Sequence, residues 1–201
     1  AESAFTYVPT VNGPNNIGLH NSEYVTPDRF VASATHSDKH GNHFSLIYEA
    51  WRGGYNYSYM MANDMNGDGY NYDALYIPTD AEVENGMFRF VSENDKTRFM
   101  DYVHNNDYLK DNQGEYAEAY SVYSPWVHRV DLSYKHDFKV NVGKSTHKLQ
   151  LSCDIKNVLN LFNSEWGVSK VMNTSLNSGR ILKYEGTDAQ GYPTFSTIPG
   201  L

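Results

Sequence analysis

Two segments within residues 127–158 alternate polar and apolar side chains with almost no interruption. In the first, Arg129, Asp131, Ser133, Lys135 and Asp137 share one parity, and His128, Val130, Leu132, Tyr134, His136 and Phe138 share the other. In the second, Leu149, Leu151, Cys153 and Ile155 alternate with Lys148, Gln150, Ser152, Asp154 and Lys156. Successive side chains on a strand point to opposite faces, so each segment specifies a strand with one oily and one charged face. The polar stretch Gly143-Lys144-Ser145-Thr146 joins them as a hairpin. Soluble sheets alternate too, but segments of roughly ten residues or more joined by short turns are what a transmembrane barrel wall requires.

Hydropathy does not oppose that reading. The mean hydropathy of −0.62 would ordinarily indicate a soluble protein, yet a barrel wall hides its apolar residues by alternation. No run approaches the roughly 18 apolar residues of a membrane helix. The 17 tyrosines suit both strands and membrane interfaces, and equally suit a Tyr-rich soluble β protein. A net charge of −8, with no basic patch interleaved with aromatics, argues against a nucleic-acid partner. Cys153 is the only cysteine, so no internal disulfide exists, and its parity makes it a small buried or lipid-facing residue.

The chain reads as a loop over residues 1–27, with a short strand at Phe5 to Val8. A hairpin follows over 28–61, turning at Lys39-His40-Gly41-Asn42, with Phe30, Ala32 and Ala34 on one parity. Its return strand is expected to run from His43 to Met61, through a kink at Gly53-Gly54, with Tyr55, Tyr57, Tyr59 and Met61 continuing the alternation. Residues 62–126 form a long external loop holding a short strand near Met87 to Val91. The same loop holds a helix from about Asp95 to Asn105, on which Phe99, Tyr102 and Val103 fall at i, i+3 and i+4. The second hairpin, 127–158, leads to less regular strands near Trp166 to Met172, Ile181 to Tyr184 and Tyr192 to Ser196 within 159–201. Short turns alternating with a long loop are typical of outer-membrane barrels.

Among site candidates, residues 64–73 place oxygen side chains at Asp64, Asn66 and Asp68, then Gly69, as at the start of a calcium loop, with Tyr70 next. The match then fails, because Leu75 stands where a bidentate Glu belongs and the next acid is Asp73. A Ca2+-stabilised surface loop and a metal-free Asn/Asp/Gly turn cluster are both open readings, and no cofactor is required. His36, His40 and His43 surround the first turn and read as solvated turn residues. Asp131 and Asp154, with Arg129, Lys135 and Lys156, read as a cross-strand charge ladder rather than paired catalytic carboxylates. No nucleophile elbow, P-loop, Cys-x-x-Cys or His-Glu-x-x-His occurs, so the chain reads as non-enzymatic. The sequons at Asn56 and Asn173 carry little weight.

The run Ser124-Pro125-Trp126-Val127-His128-Arg129-Val130-Asp131-Leu132 resembles the stretch opening the last strands of Oar-like TonB-dependent outer-membrane receptors. So does Asp154-Ile155-Lys156-Asn157-Val158-Leu159-Asn160-Leu161-Phe162-Asn163 with Trp166-Gly167, and so does 64–73 followed by Ala74-Leu75-Tyr76-Ile77-Pro78. The order and spacing are similar from about Val25 to Val171.

That resemblance implies a 22-stranded barrel plugged by an N-terminal domain, importing a scarce ligand such as a peptide or glycan with energy delivered by TonB. It implies that this chain is a C-terminal part of the wall in the bacterial outer membrane, with the plug, the TonB-binding part and the closing strand absent. Its partners would be the lipid bilayer, the remainder of the receptor with its plug, TonB through the missing N-terminal part, and a surface lipoprotein. The fold expected is all-β and antiparallel, with about six to eight strands. Arg129, Asp131, Ser133, Lys135, Gln150, Ser152, Asp154 and Lys156 would face the lumen, and the apolar parity would face lipid. The alternative is a secreted, soluble β-sandwich that binds glycans through Tyr and Trp, stabilised by calcium at 64–73.

Overall fold

The computed structural model describes residues 8–171 and 179–199. The chain is mostly β, with strands β1 (Asp28–Ser37), β2 (Asn42–Arg52), β3 (Met60–Met61), β4 (Arg89–Phe90), β5 (Val127–Val142), β6 (Ser145–Ile155), β7 (Arg180–Thr187) and β8 (Pro193–Thr197). Three α-helices lie between β3 and β5: α1 (Asp80–Glu84), α2 (Glu93–His104) and α3 (Asp107–Asp111). A 3-10 turn, Val158–Leu161, follows β6. The chain divides into two compact units. One comprises Thr26–Gly54 and Ser124–Lys170; the other comprises the described residues of Ala1–Val25, Tyr55–Tyr123 and Val171–Leu201. We call them the sheet unit and the core unit.

In the sheet unit the strands lie in the order β1-β2-β5-β6, every neighbour antiparallel. The two-residue turn Gly143-Lys144 closes the β5–β6 hairpin. β2 pairs with β5 across a long insertion, placing Leu46 opposite Leu132 and Glu49 opposite Arg129. This register carries the parity of β5 across all four strands. One face gathers Phe30, Phe44, Leu46, Leu132, Tyr134, Phe138, Leu149, Leu151 and Ile155, which are 36–64% exposed. The opposite face carries the charged residues. No closed barrel is formed by these strands. Among the described residues, β1 and β6 each have one strand neighbour and so leave an open edge.

The return strand expected to reach Met61 stops at Arg52. Gly53 and Gly54 both adopt positive φ, 80° and 86°, a conformation that breaks the ladder and is cheap only for glycine. Tyr55 to Met61 therefore leave the sheet and enter the core unit. There Tyr57 forms only an isolated bridge with Val122, and Met60–Met61 joins a different sheet.

The expected antiparallel pairing holds for the first sheet and for β7–β8, and two short pairs depart from it. The second sheet has the order β3-β7-β8-β4, in which β7–β8 is antiparallel while β3–β7 and β4–β8 are parallel. Two-residue strands arriving from a long insertion are positioned by the core beneath them, so a hairpin turn does not set their direction. No strand occupies Trp166 to Val171: Trp166 and Gly167 lie in a turn, and 168–171 take no regular structure. Met172 lies outside the described residues, as do Phe5 to Tyr7 of the expected N-terminal strand and the Asn173 sequon.

The core unit is built on Tyr59, Leu75, Ile77, Phe99, Leu109, Leu182 and Phe195, each almost fully buried. Phe88 stacks on Phe195 with centroids 4.3 Å apart and planes 7° from parallel. The helix expected near Asp95 to Asn105 is α2, and Phe99, Met100 and Val103 form its buried stripe while Tyr102 packs at the margin. Its N-cap is Ser92, whose hydroxyl accepts the Asp95 amide at 3.1 Å. The Asp95 carboxylate also accepts from the Thr197 amide and hydroxyl at 2.9 and 2.7 Å, tying α2 to β8. Hydrogen bonds from Ser92, then Thr197, hold Asp95 below the usual carboxylate range. Thr79 and Glu82 form a capping box on α1.

Candidate functional site

The polar face of the sheet unit carries several cross-strand polar clusters. Glu49 on β2 accepts from Arg29 on β1 at 2.6 Å and from Arg129 on β5 at 2.8 Å. Arg129 also lies 3.6 Å from Asp131 and over the Trp51 ring. Asp131 accepts the Asn157 amide at 2.8 Å, joining this cluster to the turn beyond β6. Further along, the Ser133 hydroxyl donates to Asp154, and Gln150 donates to Asp137 at 2.7 Å. Lys135 stands opposite Ser152, and Lys156 lies exposed just past β6. The alternating charges therefore meet across strands, and Asp131 and Asp154 bind different partners instead of forming a close carboxylate pair.

The three histidines of the first turn do not converge. His43 bonds Ser37 at 2.7 Å and Asp137 at 3.2 Å on the polar face. His36 sits opposite Phe44 on the apolar face, and His40 belongs to the turn itself.

Residues 64–73 form a loop held by its own amides. Asp64 accepts from Gly67 and Gly69 at 2.7 and 2.8 Å, Asn66 from Asp68 at 2.9 Å, and Asp68 from Tyr70 at 2.8 Å. Asp73, buried at the loop's base, accepts from Met65 and Asn66. Burial pushes the Asp73 carboxyl up, and the charges of Asp68 and Asp64 add to that, while the two amide bonds oppose it. Among the described residues, no three His, Cys, Asp or Glu side chains are grouped to hold a metal ion.

Asn56, the first sequon, is 2% exposed, and its amide donates to the Val25 carbonyl at 2.9 Å. It acts as a buried tether.

A clamp that pattern reading missed lies beyond β6. Asn157 takes φ 53° and ψ 54°, and its side-chain amide donates to the Trp166 carbonyl at 3.1 Å. Gly167 packs against it so closely that a Cβ there would fall 2.0 Å from Asn157 Oδ1, at φ 69°. The paired Asn and Gly in 157–167 were the available signal, but an Asn in a turn is too common to single out. Gly167→Ala is expected to lower the stability of the protein by about 1–3 kcal/mol through strain at this contact. Adding Asn157→Ala should recover part of the lost thermal midpoint, since it removes the clashing oxygen.

No protein-family model, curated protein or solved structure matches this chain.

Proposed function

We propose that the sheet unit is one arc of the wall of a bacterial outer-membrane β-barrel, belonging to a receptor of the Oar-like TonB-dependent type. The observation that carries this reading is the pair of faces of the β1-β2-β5-β6 sheet. One face is an exposed band of large apolar side chains, and the other carries the charged side chains, among them Glu49 between Arg29 and Arg129. A soluble sheet would cover such a band with a second layer, because exposed patches of this kind are aggregation or interaction surfaces. Strands of 10, 11, 16 and 11 residues also match the 9–11 residues a tilted membrane strand needs, with excess to project beyond it. The open edges of β1 and β6 are where neighbouring wall strands would pair.

On this reading the apolar face meets lipid and the charged face meets the lumen. The chain leaves the sheet at one end before β1, between β2 and β5, and after β6, and those three connections supply the core unit. The core unit would serve as the external capture surface for an imported ligand, with import energised by TonB through the remainder of the receptor. A surface lipoprotein would be a partner on the same side.

Cys153 offers a test that needs no substitution, because it sits on the apolar face opposite Tyr134. In native membranes a membrane-impermeant maleimide should leave Cys153 unmodified, and denaturation in SDS should make it fully reactive, as read by mass spectrometry of its peptide. Full labelling without denaturation would contradict a lipid-facing Cys153 and favour the secreted β-sandwich.

A further inference from the structure

The core unit holds a groove of about 320 Å³ between the segment 9–20 and the extended stretches at 74 and 116–119. Three buried alanines, Ala74, Ala117 and Ala119, line it beside the exposed ring of Tyr116. That ring is fixed in place. It meets Tyr76 edge-on with centroids 5.1 Å apart, and the Tyr76 hydroxyl donates to Glu82 at 2.7 Å. The backbone on either side of Tyr116 pairs with Leu75 and Ile77. His20, also in the lining, lies against Tyr120 with centroids 5.7 Å apart. Tyr120 takes φ 54°, a left-handed conformation that is costly for a bulky residue, and the Ser58 hydroxyl accepts its amide at 2.7 Å. Strain of this kind concentrates at ligand-binding sites.

The backbone amides bordering the groove are spent within the fold. Thr10 donates to Tyr72 at 2.9 Å, Ala74 to Thr10 at 2.9 Å, Ala117 to Leu75 at 2.7 Å and Glu118 to the Tyr108 hydroxyl at 2.9 Å. An extended peptide adding as a strand would find none of these four N–H groups open to it. Side chains are what remains for recognition. Among the described residues, the side-chain amides of Asn12 and Asn16 and the Glu118 carboxylate make no hydrogen bond or ion pair within the fold. No lysine or arginine lines the groove, and Glu118 is its one acid, so a phosphate or carboxylate ligand would be opposed.

Resting on the reading of the core unit as a capture surface, we propose that this groove binds an uncharged sugar unit of a glycan. Its C–H face lies against the Tyr116 ring and its hydroxyls meet Asn12, Asn16 and Glu118. The match is one of chemistry. A pyranose presents a flat apolar face and a rim of hydroxyls that both donate and accept. Tyr116 offers a rigid apolar surface, the two asparagine amides donate and accept, and the carboxylate accepts. A volume at the small end of ligand pockets suits a short stretch of glycan and excludes a bulky ligand.

The test is binding of the complete receptor, in mild detergent, to immobilised oligosaccharides and peptides. Neutral glucans, mannans, galactans and xylans are set against oligogalacturonate, alginate and a tryptic digest of casein. A neutral glycan should be retained in preference to the acidic ones and the peptides, and its binding should slow hydrogen exchange at 10–20 and 115–120. Tyr116→Ala should weaken binding about tenfold, the loss expected for one aromatic contact. The double variant Asn12→Ala/Asn16→Ala, on the exposed loop, should weaken it as much with every tyrosine in place. Tyr24→Ala, an exposed tyrosine outside the groove, should leave it unchanged. Retention of no neutral glycan, preference for acidic glycans or peptides, or full binding by both groove variants would overturn the assignment. Protection that maps elsewhere within 55–123 would fail this inference and keep the capture surface. A receptor that binds glycan at Tyr116 yet is found in a detergent-free soluble fraction would remove the barrel-wall reading and keep the sugar site.

Discussion

Arginine at Leu132 or Leu151 should cost about 2–4 kcal/mol of membrane-folding stability at each site if the residue lies near the bilayer midplane. Leu132 sits opposite both Leu46 and Ile155 in register, in the middle of the apolar band. A guanidinium there would be surrounded by Phe, Leu and Ile side chains, with its nearest relief a snorkel toward either interface. Arginine at Ser133 enters the opposite face, where Asp154 stands directly across the strand pair, and should be tolerated to within about 1 kcal/mol. The contrast is read as the urea midpoint of the receptor in lipid vesicles, alongside its yield in the outer membrane. Equal tolerance on the two parities would sink the assignment of faces.

Phe99→Ala should destabilise the core unit by about 3–5 kcal/mol, the usual cost of emptying a buried aromatic site. Phe99 is fully buried on α2 and packs on Phe90, which meets the stacked pair Phe88–Phe195. Its removal leaves a void bounded by a helix and both partners of the parallel β4–β8 pair, elements too short to collapse into it independently. Phe99→Leu, which keeps most of the volume, should cost less than half as much. Both are measured by chemical denaturation followed through the tyrosine signals of the core unit, which holds Tyr57, Tyr59, Tyr102 and Tyr108. A loss below about 1 kcal/mol for the alanine variant would mean that α2 is not seated on a packed core.

What could be read from sequence, and what could not, follows from the range of the forces involved. Alternation on β5 and β6 and the turn at Gly143-Lys144 depend on neighbours in sequence, and the hairpin appears with its faces as expected. The same holds for α2, whose cap and buried stripe are local. Pairing of β2 with β5 bridges an insertion, and only tertiary contact selects it. The segment from Tyr55 to Met61 misled because its alternating tyrosines have the period of a strand, while Gly53 and Gly54 had already turned the chain away. Tyr59 is buried instead, its hydroxyl receiving the Asn106 amide at 2.9 Å, and burial together with Tyr102 pushes its phenol far above the ordinary range. β4 falls within the short strand expected near Met87 to Val91, but its parallel pairing with β8, and that of β3 with β7, had no local signal, since two-residue strands have no periodicity.

The acidic loop shows the same division. Asn, Asp and Gly in 64–73 announced a structured turn, and the turn is there, held by side-chain oxygens on backbone amides. Position in sequence did not reveal that Asp73 would lie beneath it, buried and bonded to Met65 and Asn66.

The most direct measurement is the size and location of the native polypeptide in its source cell, detected with an antibody against residues 127–158. A species far heavier than 22.9 kDa that sediments with the outer membrane and resists extraction by alkaline carbonate is the expected result for a barrel-wall arc. A 22.9 kDa species in a detergent-free soluble fraction would contradict it.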